Sequence, residues 1–282
     1  MIENMVSILI KAKEGKYGVG AFNFKEYSDM RGLAEAAREN KSPVIMMSSS
    51  EVVKFSGAKE LAYAYRGICE DLGVPCALHL DHAKDFELIK KCVECGYTSV
   101  MIDASEKPFY ENIEMTKRVV EIAKKKGVSV EAELGTIGGK EDGISHKVIE
   151  FVDPGTVREF VEKTGVDALA IAIGTVHGLY KSDPDLRFDL IEACAAQTDI
   201  PLVMHGGTGL SEDDFKRAIA CGISKVNVGT ELKLAFAKSL VETSNQPNAE
   251  KIDPMGYLRP VREVIKTIAA GKMSIFGCVG RI

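Results

Sequence analysis

Three features are absent from this sequence, and each absence excludes a class of protein. The chain has no excess of positive charge, since 36 lysines and arginines face 41 acidic residues, and we find no basic cluster interleaved with aromatic residues. No run approaches the roughly 18 apolar residues that a membrane span needs. The beginning, Met1-Ile2-Glu3-Asn4, lacks the basic start and apolar stretch of a secretion signal. We therefore expect a cytoplasmic protein with neither nucleic acid nor a membrane as partner.

A disulfide framework is also not expected. The seven cysteines are an odd number scattered through a chain of 282 residues, whereas disulfide scaffolds are small and rich in paired cysteines. The 45% of hydrophobic residues can bury a large core without such bonds. Small molecules, or further copies of the chain, are the expected partners.

The sequence alternates strand-like and helix-like stretches about eight times. The strand-like runs are short, apolar and rich in β-branched residues, and each is followed by a helical pattern. The predicted strands are 17–22, 44–47, 76–79, 99–102, 128–134, 168–173, 200–204 and 225–228. This order is typical of an α/β protein with a parallel sheet, and eight units favour a closed (β/α)8 TIM barrel over a doubly wound open sheet. We predict one domain over residues 1–282, with an extra C-terminal helical segment near 261–270 that covers the barrel or a neighbouring subunit.

Histidine is scarce, and its placement suggests a site. Three of the five histidines stand at the ends of predicted strands: His82 in His79-Leu80-Asp81-His82, then His177 and His205. In a parallel barrel these ends share the C-terminal rim, where Asp81, Glu133 and Asn227 are also expected. Three neutral imidazoles with an open fourth position suit a catalytic zinc ion. His79, inside an apolar run, is better interpreted as a packed core histidine.

Two glycine-rich segments follow the last two predicted strands. They are His205-Gly206-Gly207-Thr208-Gly209 and Val226-Asn227-Val228-Gly229-Thr230, and each leads into a helix. Glycines let backbone N–H groups approach a phosphate, and a helix N-terminus adds favourable partial charge. Ordinary left-handed turns are the alternative for any single glycine. Because barrels usually bind phosphate after strands seven and eight, a phosphate site is favoured.

Seven motifs in this order resemble the class II, zinc-dependent ketose-bisphosphate aldolases. They are His79-Leu80-Asp81-His82, Ser99 to Asp103, Val130 to Gly135, Gly138 to Asp142, Gly174 to Gly178, His205 to Gly209 and Val226 to Leu232. Three stretches, 172–180, 225–232 and 277–282, look more like tagatose-bisphosphate than fructose-bisphosphate aldolases. The resemblance implies a lyase that reversibly cleaves a ketohexose 1,6-bisphosphate to dihydroxyacetone phosphate and glyceraldehyde 3-phosphate, with tagatose 1,6-bisphosphate favoured and fructose 1,6-bisphosphate as the alternative.

The resemblance also implies a role for individual residues. His82, His177 and His205 would hold Zn²⁺, while Asp81 would exchange a proton with the C4 oxygen and Glu141 would move one at C3. Asp103 and Glu133 match positions that hold a second divalent or a monovalent cation in some members, or that hydrogen-bond to the ligands. The substrate would contact Asn23, Ser49, Gly178, Gly206, Gly207, Thr208, Asn227, Val228, Gly229 and Thr230.

Other interpretations stay open at this point. Lys225 can be the nucleophile of a metal-free Schiff-base aldolase, although three rim histidines are then unexplained. The chain can also be an aldolase for another ketose phosphate, or a non-catalytic phosphosugar-binding barrel. The family further suggests a homodimer or homotetramer, and tagatose-type members can require an accessory subunit.

Overall fold

The structure is a computed structural model that describes residues 1–70, 72–141, 144–146, 150–178 and 184–282, with backbone alone at 140, 141 and 144–146. Within these ranges the chain forms strands that we number in order. They are β1 Val19–Asn23, β2 Val44–Ser49, β3 Cys76–Ala83, β4 Ser99–Ile102, β5 Ser129–Leu134, β6 Gly138–Glu141, β7 Ile144–His146, β8 Ala168–Ile171, β9 Val176–His177, β10 Leu202–Met204 and β11 Ile223–Val228.

The strands confirm the predicted barrel. A closed barrel of parallel strands runs in the order β1-β11-β10-β8-β5-β4-β3-β2, so every predicted strand has its counterpart. The remaining strands form a small second sheet in the order β7-β6-β9. The segment 135–146, in which the sequence analysis predicted no strand, therefore contains two strands. The short antiparallel pairing of β6 with β7 was not predicted because the segment is rich in glycine and lacks the apolar run by which the other strands were recognised.

Helices surround the barrel. They are α1 Met5–Gly15, α2 Tyr27–Glu39, α3 Ser50–Ser56, α4 Ala58–Cys69, α5 Phe86–Cys95, α6 Phe109–Lys124, α7 Pro154–Thr164, α8 Phe188–Ala195, α9 Glu212–Cys221, α10 Thr230–Ser244 and α11 Pro254–Ile275, with a 3-10 turn at Ala249–Lys251. Side-chain caps fix several of their starts, as at Ser211, whose hydroxyl accepts from the N–H of Asp214 in a reciprocal capping box. None of the helices described is both long and apolar enough to cross a membrane.

Helix α11 is the predicted C-terminal segment, but it is longer than the sequence suggested. It begins seven residues before Val261 because Asp253 caps it and Pro254 occupies its first position, and it continues through Pro260. Its apolar stripe is buried, and Glu35 of α2 forms an ion pair with Arg262. The N–H of Gly18, just before β1, donates to the carbonyl of Phe276. The segment therefore covers its own barrel.

The barrel interior is polar toward the C-terminal ends of the strands. Along each strand, side chains alternate between the surrounding helices and the interior. Glu131 of β5 contacts Lys225 of β11, and Asp81 of β3 contacts Asn227 of β11, although neither pair of strands is adjacent. These side chains meet across the interior, whereas neighbours such as Leu80 are buried toward the helices.

Candidate active site and metal centre

Three imidazoles meet at the C-terminal mouth of the barrel. His82 lies in the last part of β3, His177 in β9, and His205 directly after β10. Their ring centroids are 4.8 Å apart for His82 and His177, 4.6 Å for His82 and His205, and 6.0 Å for His177 and His205. One ring nitrogen from each lies within 4.8 Å of the others. The structure thus brings together residues that are far apart in sequence, although β3 extends four residues beyond its predicted end.

His82 has an unusual backbone. Its φ of 46° is in the left-handed region, which non-glycine residues rarely adopt. The register of β3 against β4 also shifts between Leu80 and Ala83. A side chain is turned by such an irregularity, and strained backbone of this kind is concentrated at functional sites. The ring Nδ1 of His82 lies 3.4 Å from Oδ2 of Asp103.

A buried hydrogen-bond network inside the barrel holds the ring of His205. Its Nε2 lies 2.9 Å from Oε1 of Glu131, whose Oε2 accepts from Nζ of Lys225 at 2.7 Å. Burial alone would raise the pKa of Glu131, but Lys225, His205 and His79 together lower it below its ordinary range. An ionised Glu131 can only accept a hydrogen bond, so Nε2 of His205 carries the proton. Burial lowers the pKa of His205, which keeps the ring neutral.

These donors fit a zinc ion. His205 Nδ1 is buried and has no hydrogen-bond partner. Buried polar atoms are normally hydrogen-bonded, so an unpaired imidazole nitrogen here is consistent with a metal ligand. The three donors are all imidazoles without a thiolate, as in catalytic zinc sites that keep one position open. The cluster can therefore hold a metal ion.

The carboxylate of Asp81 lies next to the imidazole cluster and accepts hydrogen bonds from two side-chain amides. Asn23 Nδ2 donates to Oδ2 of Asp81 at 3.0 Å, and Asn227 Nδ2 donates to Oδ1 at 3.2 Å. Asp81 is buried and directly precedes His82. The two donors fix the plane of the carboxylate. Asn23, which we predicted to contact substrate, is thereby placed on the candidate acid–base group.

Asp103 and Glu133 lie behind the imidazoles. Asp103 Oδ1 accepts from the N–H and the hydroxyl of Ser105 at 3.2 and 2.8 Å. Burial opposes ionisation of Asp103, but the hydrogen bond and charge of His82 outweigh it and lower the pKa. Burial and the neighbouring Asp103 raise the pKa of Glu133 to about 8, and its Oε2 lies 3.5 Å from Nδ1 of His205. Both carboxyl groups thus contact candidate ligands.

A small cavity adjoins the cluster on the side of the last two barrel strands. It is lined by His177, Gly178, Gly206, Gly207, Thr208, Asn227, Gly229 and Thr230. Seven of the ten predicted substrate contacts therefore line one cavity. Val228, which lies between two of them in sequence, instead buries its side chain in the core. A Cβ on Gly206 would lie 2.6 Å from the carbonyl oxygen of Val176, so only glycine allows this close approach.

Three residues that the sequence analysis named are not among the described residues that line this cavity. Ser49 ends β2 beside Asp81 in register, and its hydroxyl caps α3 by accepting from the N–H of Val52 at 3.5 Å. The side chain of Glu141 lies outside the described part of the chain. Lys225 is fully buried, and its amine is engaged by Glu131 at 2.7 Å, so it is not placed to attack a carbonyl as a Schiff-base nucleophile must.

Comparison with known proteins identifies the family. A family model described as "Fructose-bisphosphate aldolase class-II" matches residues 3–281. The chain belongs to this family. Like other class II aldolases it is a lyase, and class II aldolases are zinc-dependent, in agreement with the imidazole cluster. The family also implies a phosphorylated ketose as substrate.

Individual class II aldolases resemble the chain from end to end. The fructose-bisphosphate aldolase of Staphylococcus aureus (strain Mu50) is 45% identical over 281 residues, covering 99% of this chain and 98% of the relative. That of Geobacillus stearothermophilus is 44% identical over 282 residues, covering 99% and 98%. The crystal structure of the YdjI aldolase from Escherichia coli K12 matches with a TM-score of 0.88 at 33% identity, covering 100% of this chain and 99% of that one.

Sequence reasoning missed one residue of this class II aldolase site. Glu131 was not singled out, although it alternates with Glu133 in the otherwise apolar stretch Val130 to Leu134. Two carboxylates with a spacing of two in a buried strand point to the same face, into the barrel. That pattern was the available signal. The partner, Lys225, is 94 residues away and is identified only by the fold.

Proposed function

We propose that the chain reversibly cleaves fructose 1,6-bisphosphate to dihydroxyacetone phosphate and glyceraldehyde 3-phosphate. The observation that carries this proposal is the meeting of three imidazoles, a carboxylate held by two amides and a glycine-lined cavity at one end of the barrel. The relatives at 44 and 45% identity bear the name fructose-bisphosphate aldolase, which supports this sugar. The preference for tagatose 1,6-bisphosphate that the motifs suggested finds no support among them.

His82, His177 and His205 would hold zinc in this proposal. When bound there, zinc supplies a Lewis acid that stabilises the negative charge developing on the carbonyl oxygen of the substrate. The chain's own contribution is to bring the three rings together and to orient them. Asp103 contacts the ring of His82, and Glu131 contacts that of His205, so two of the three ligands are oriented by a carboxylate behind them.

Asp81 would act as the base. When the C3–C4 bond breaks, its electron pair passes toward C3 and the C2 carbonyl, and the C4 hydroxyl gives up its proton to become an aldehyde. Asp81 takes this proton, and Asn23 and Asn227 hold the carboxylate in the required orientation. In the direction of synthesis Asp81 returns the proton. We also propose that Glu141 moves the proton at C3 of the three-carbon product.

The cavity beside His177 would bind the phosphate on C1. Backbone N–H groups at Gly206, Gly207 and Thr208, and those at the start of α10, are the type of donor that holds a phosphate without a charged side chain. Fixing this phosphate fixes C2 and C3 relative to Asp81, so binding energy is used for orientation. A second cation at Asp103 and Glu133, a homodimer or homotetramer, and an accessory subunit remain predictions.

A coupled assay tests this function. Fructose 1,6-bisphosphate and tagatose 1,6-bisphosphate are each supplied to the zinc-loaded protein, with and without a chelator, and dihydroxyacetone phosphate is measured with a dehydrogenase that consumes it. We expect faster cleavage of the fructose compound, complete loss with chelator, and at least roughly 100-fold slower cleavage by Asp81→Asn. Asp85→Asn, a change of the same kind at the exposed cap of α5, should keep full activity. Cleavage that survives the chelator, or no cleavage of either sugar, would overturn the proposal.

A further inference from the structure

An ion pair that the reaction does not use lies inside the barrel below the metal centre. Glu131 and Lys225 are both fully buried, and Nζ of Lys225 lies 2.7 Å from Oε2 of Glu131. Removing two charges from water is expensive, and such a pair often contributes nothing to stability compared with apolar residues of the same size. Stability alone therefore does not explain why this pair is present.

The contacts of Glu131 indicate that role. Its other oxygen, Oε1, lies 2.9 Å from Nε2 of His205, so the carboxylate bridges the ammonium group and the imidazole. An ammonium group has no acceptor and can only donate, which fixes one oxygen of Glu131. The remaining oxygen then accepts the Nε2 proton of His205. Nδ1 of that ring is left with a lone pair and, at 0% exposure of the residue, without any hydrogen-bond partner.

We propose that Glu131 and Lys225 form a positioning pair that holds His205 in the Nε2–H tautomer, with Nδ1 available to the metal. Lys225 holds the carboxylate in place through its contact with Oε2, and Glu131 sets the orientation of the ring through Oε1. Neither residue touches substrate, so neither is catalytic. This inference rests on the proposed zinc site and adds to it the means by which one ligand is oriented.

His79 completes the surroundings of the pair without sharing its role. Its Nε2 lies 3.8 Å from Oε2 of Glu131, beyond hydrogen-bond distance, and its Nδ1 is engaged by the hydroxyl of Ser99 at 2.7 Å. Burial is the main reason that the pKa of His79 is lowered to about 3, so the ring is uncharged. Lys225 therefore supplies the positive charge next to Glu131.

Metal affinity tests the positioning pair separately from catalysis. The variants are Glu131→Gln and the double variant Glu131→Gln/Lys225→Met, which removes both charges and leaves no ion buried alone. Tyr97→Phe is the matched control, because it deletes a buried hydrogen bond, to Ser48 at 2.8 Å, that is not part of the network. Cobalt and zinc affinities are measured by competition with a chromophoric chelator, and the visible absorption of the cobalt protein is recorded.

We expect both variants to bind metal roughly 10- to 100-fold more weakly, with altered cobalt absorption bands, while Tyr97→Phe binds like the wild type. A folded double variant with wild-type metal affinity and cobalt spectrum would overturn this inference but leave the proposed function standing. A wild-type protein that binds neither cobalt nor zinc would overturn the proposed function and the inference together.

A second measurement needs no variant of the pair. With only five histidines, the ¹⁵N-histidine NMR spectrum of the metal-free wild type is simple, and His205→Gln assigns the resonance of interest. We expect the shifts of a neutral ring protonated at Nε2. A ring protonated at Nδ1 would contradict the inference even if the variants failed to fold.

Discussion

The side-chain amide of Asn227 donates a hydrogen bond to Oδ1 of Asp81 at 3.2 Å, across 146 residues of sequence. Asn23 donates to the other oxygen at 3.0 Å from β1, the strand next to β11 in the barrel. The carboxylate next to His82 is thus held at both oxygens. Removing either donor frees one oxygen and lets the plane of the carboxylate rotate.

Replacing these amides by leucine should slow the reaction without removing the metal. For Asn23→Leu and Asn227→Leu we expect kcat to fall by roughly 10- to 100-fold, because a misoriented base takes its proton less efficiently. Zinc content should stay unchanged. Asn40→Leu is the control, since Asn40 follows the last residue of α2 and its side-chain amide donates to the carbonyl of Ala36 in that helix, away from Asp81. Steady-state kinetics and metal analysis give the comparison, and unchanged kcat in both active-site variants would contradict the assigned role of the amides.

The backbone of His82 leads to a prediction about stability. Because its φ is 46°, glycine can replace it without strain, whereas a β-branched residue cannot. We expect His82→Val to unfold more easily than His82→Gly by about 1–3 kcal/mol when both are metal-free. Urea unfolding in the presence of chelator measures this difference. Equal stabilities would mean that the left-handed conformation is not retained.

Gly206 should be intolerant of even one methyl group. Its φ is 69°, and an added Cβ would meet the backbone of Val176, 2.6 Å from the oxygen. Gly206→Ala must therefore displace the strand that carries His177, and we expect KM for the bisphosphate to rise about tenfold or more, with about 1–3 kcal/mol lost from the free energy of unfolding. Wild-type KM in this variant would show that the cavity does not bind the phosphate.

Asp29, which lies outside the metal centre, should make the free energy of unfolding depend on pH. Burial raises its pKa to about 7, against a partial lowering by the backbone N–H of Lys25, which donates at 2.7 Å. The unfolded chain ionises this carboxyl near 3.8. Between these values the unfolded state loses a proton that the folded state keeps, so the free energy of unfolding falls as the pH rises, by at most ~1.4 kcal/mol per unit.

The variant Asp29→Asn isolates this contribution. Asparagine can still accept from Lys25 but does not titrate, so we expect its stability to lack the decline between about pH 4 and pH 7 that Asp29 contributes. Urea unfolding of chelator-treated wild type and variant over this range gives the two slopes. Identical slopes would show that Asp29 is ionised in the folded protein.

The sequence predicted the barrel because each strand is a short apolar run followed by a helical pattern, a signal that depends on neighbouring residues alone. The rim residues His82, His177 and His205 followed from the same pattern, since parallel strands end at one edge. Contacts inside the barrel did not follow. The pairing of Glu131 with Lys225 depends on which strands face each other across the interior, and no local pattern contains that information.

Two helices were also missed for physical reasons. Helix α1 precedes the first strand and lies outside the repeating unit, and its left-handed end at Lys16 lacks the usual glycine. Helix α3, Ser50–Ser56, is too short for a clear period and follows β2 without a break, with Ser49 as its cap. Tertiary packing of Val52 and Val53 stabilises it.

The central claim is that His82, His177 and His205 hold the zinc ion on which cleavage depends. Its most direct test is a zinc titration of chelator-treated protein, with the rate of fructose 1,6-bisphosphate cleavage recorded at each step for the wild type and for His177→Ala. We predict no cleavage without zinc, full activity of the wild type once a single ion per chain is bound, and no recovery of His177→Ala over the same range. Full cleavage before any zinc is added, or equal recovery of the variant, would contradict the claim.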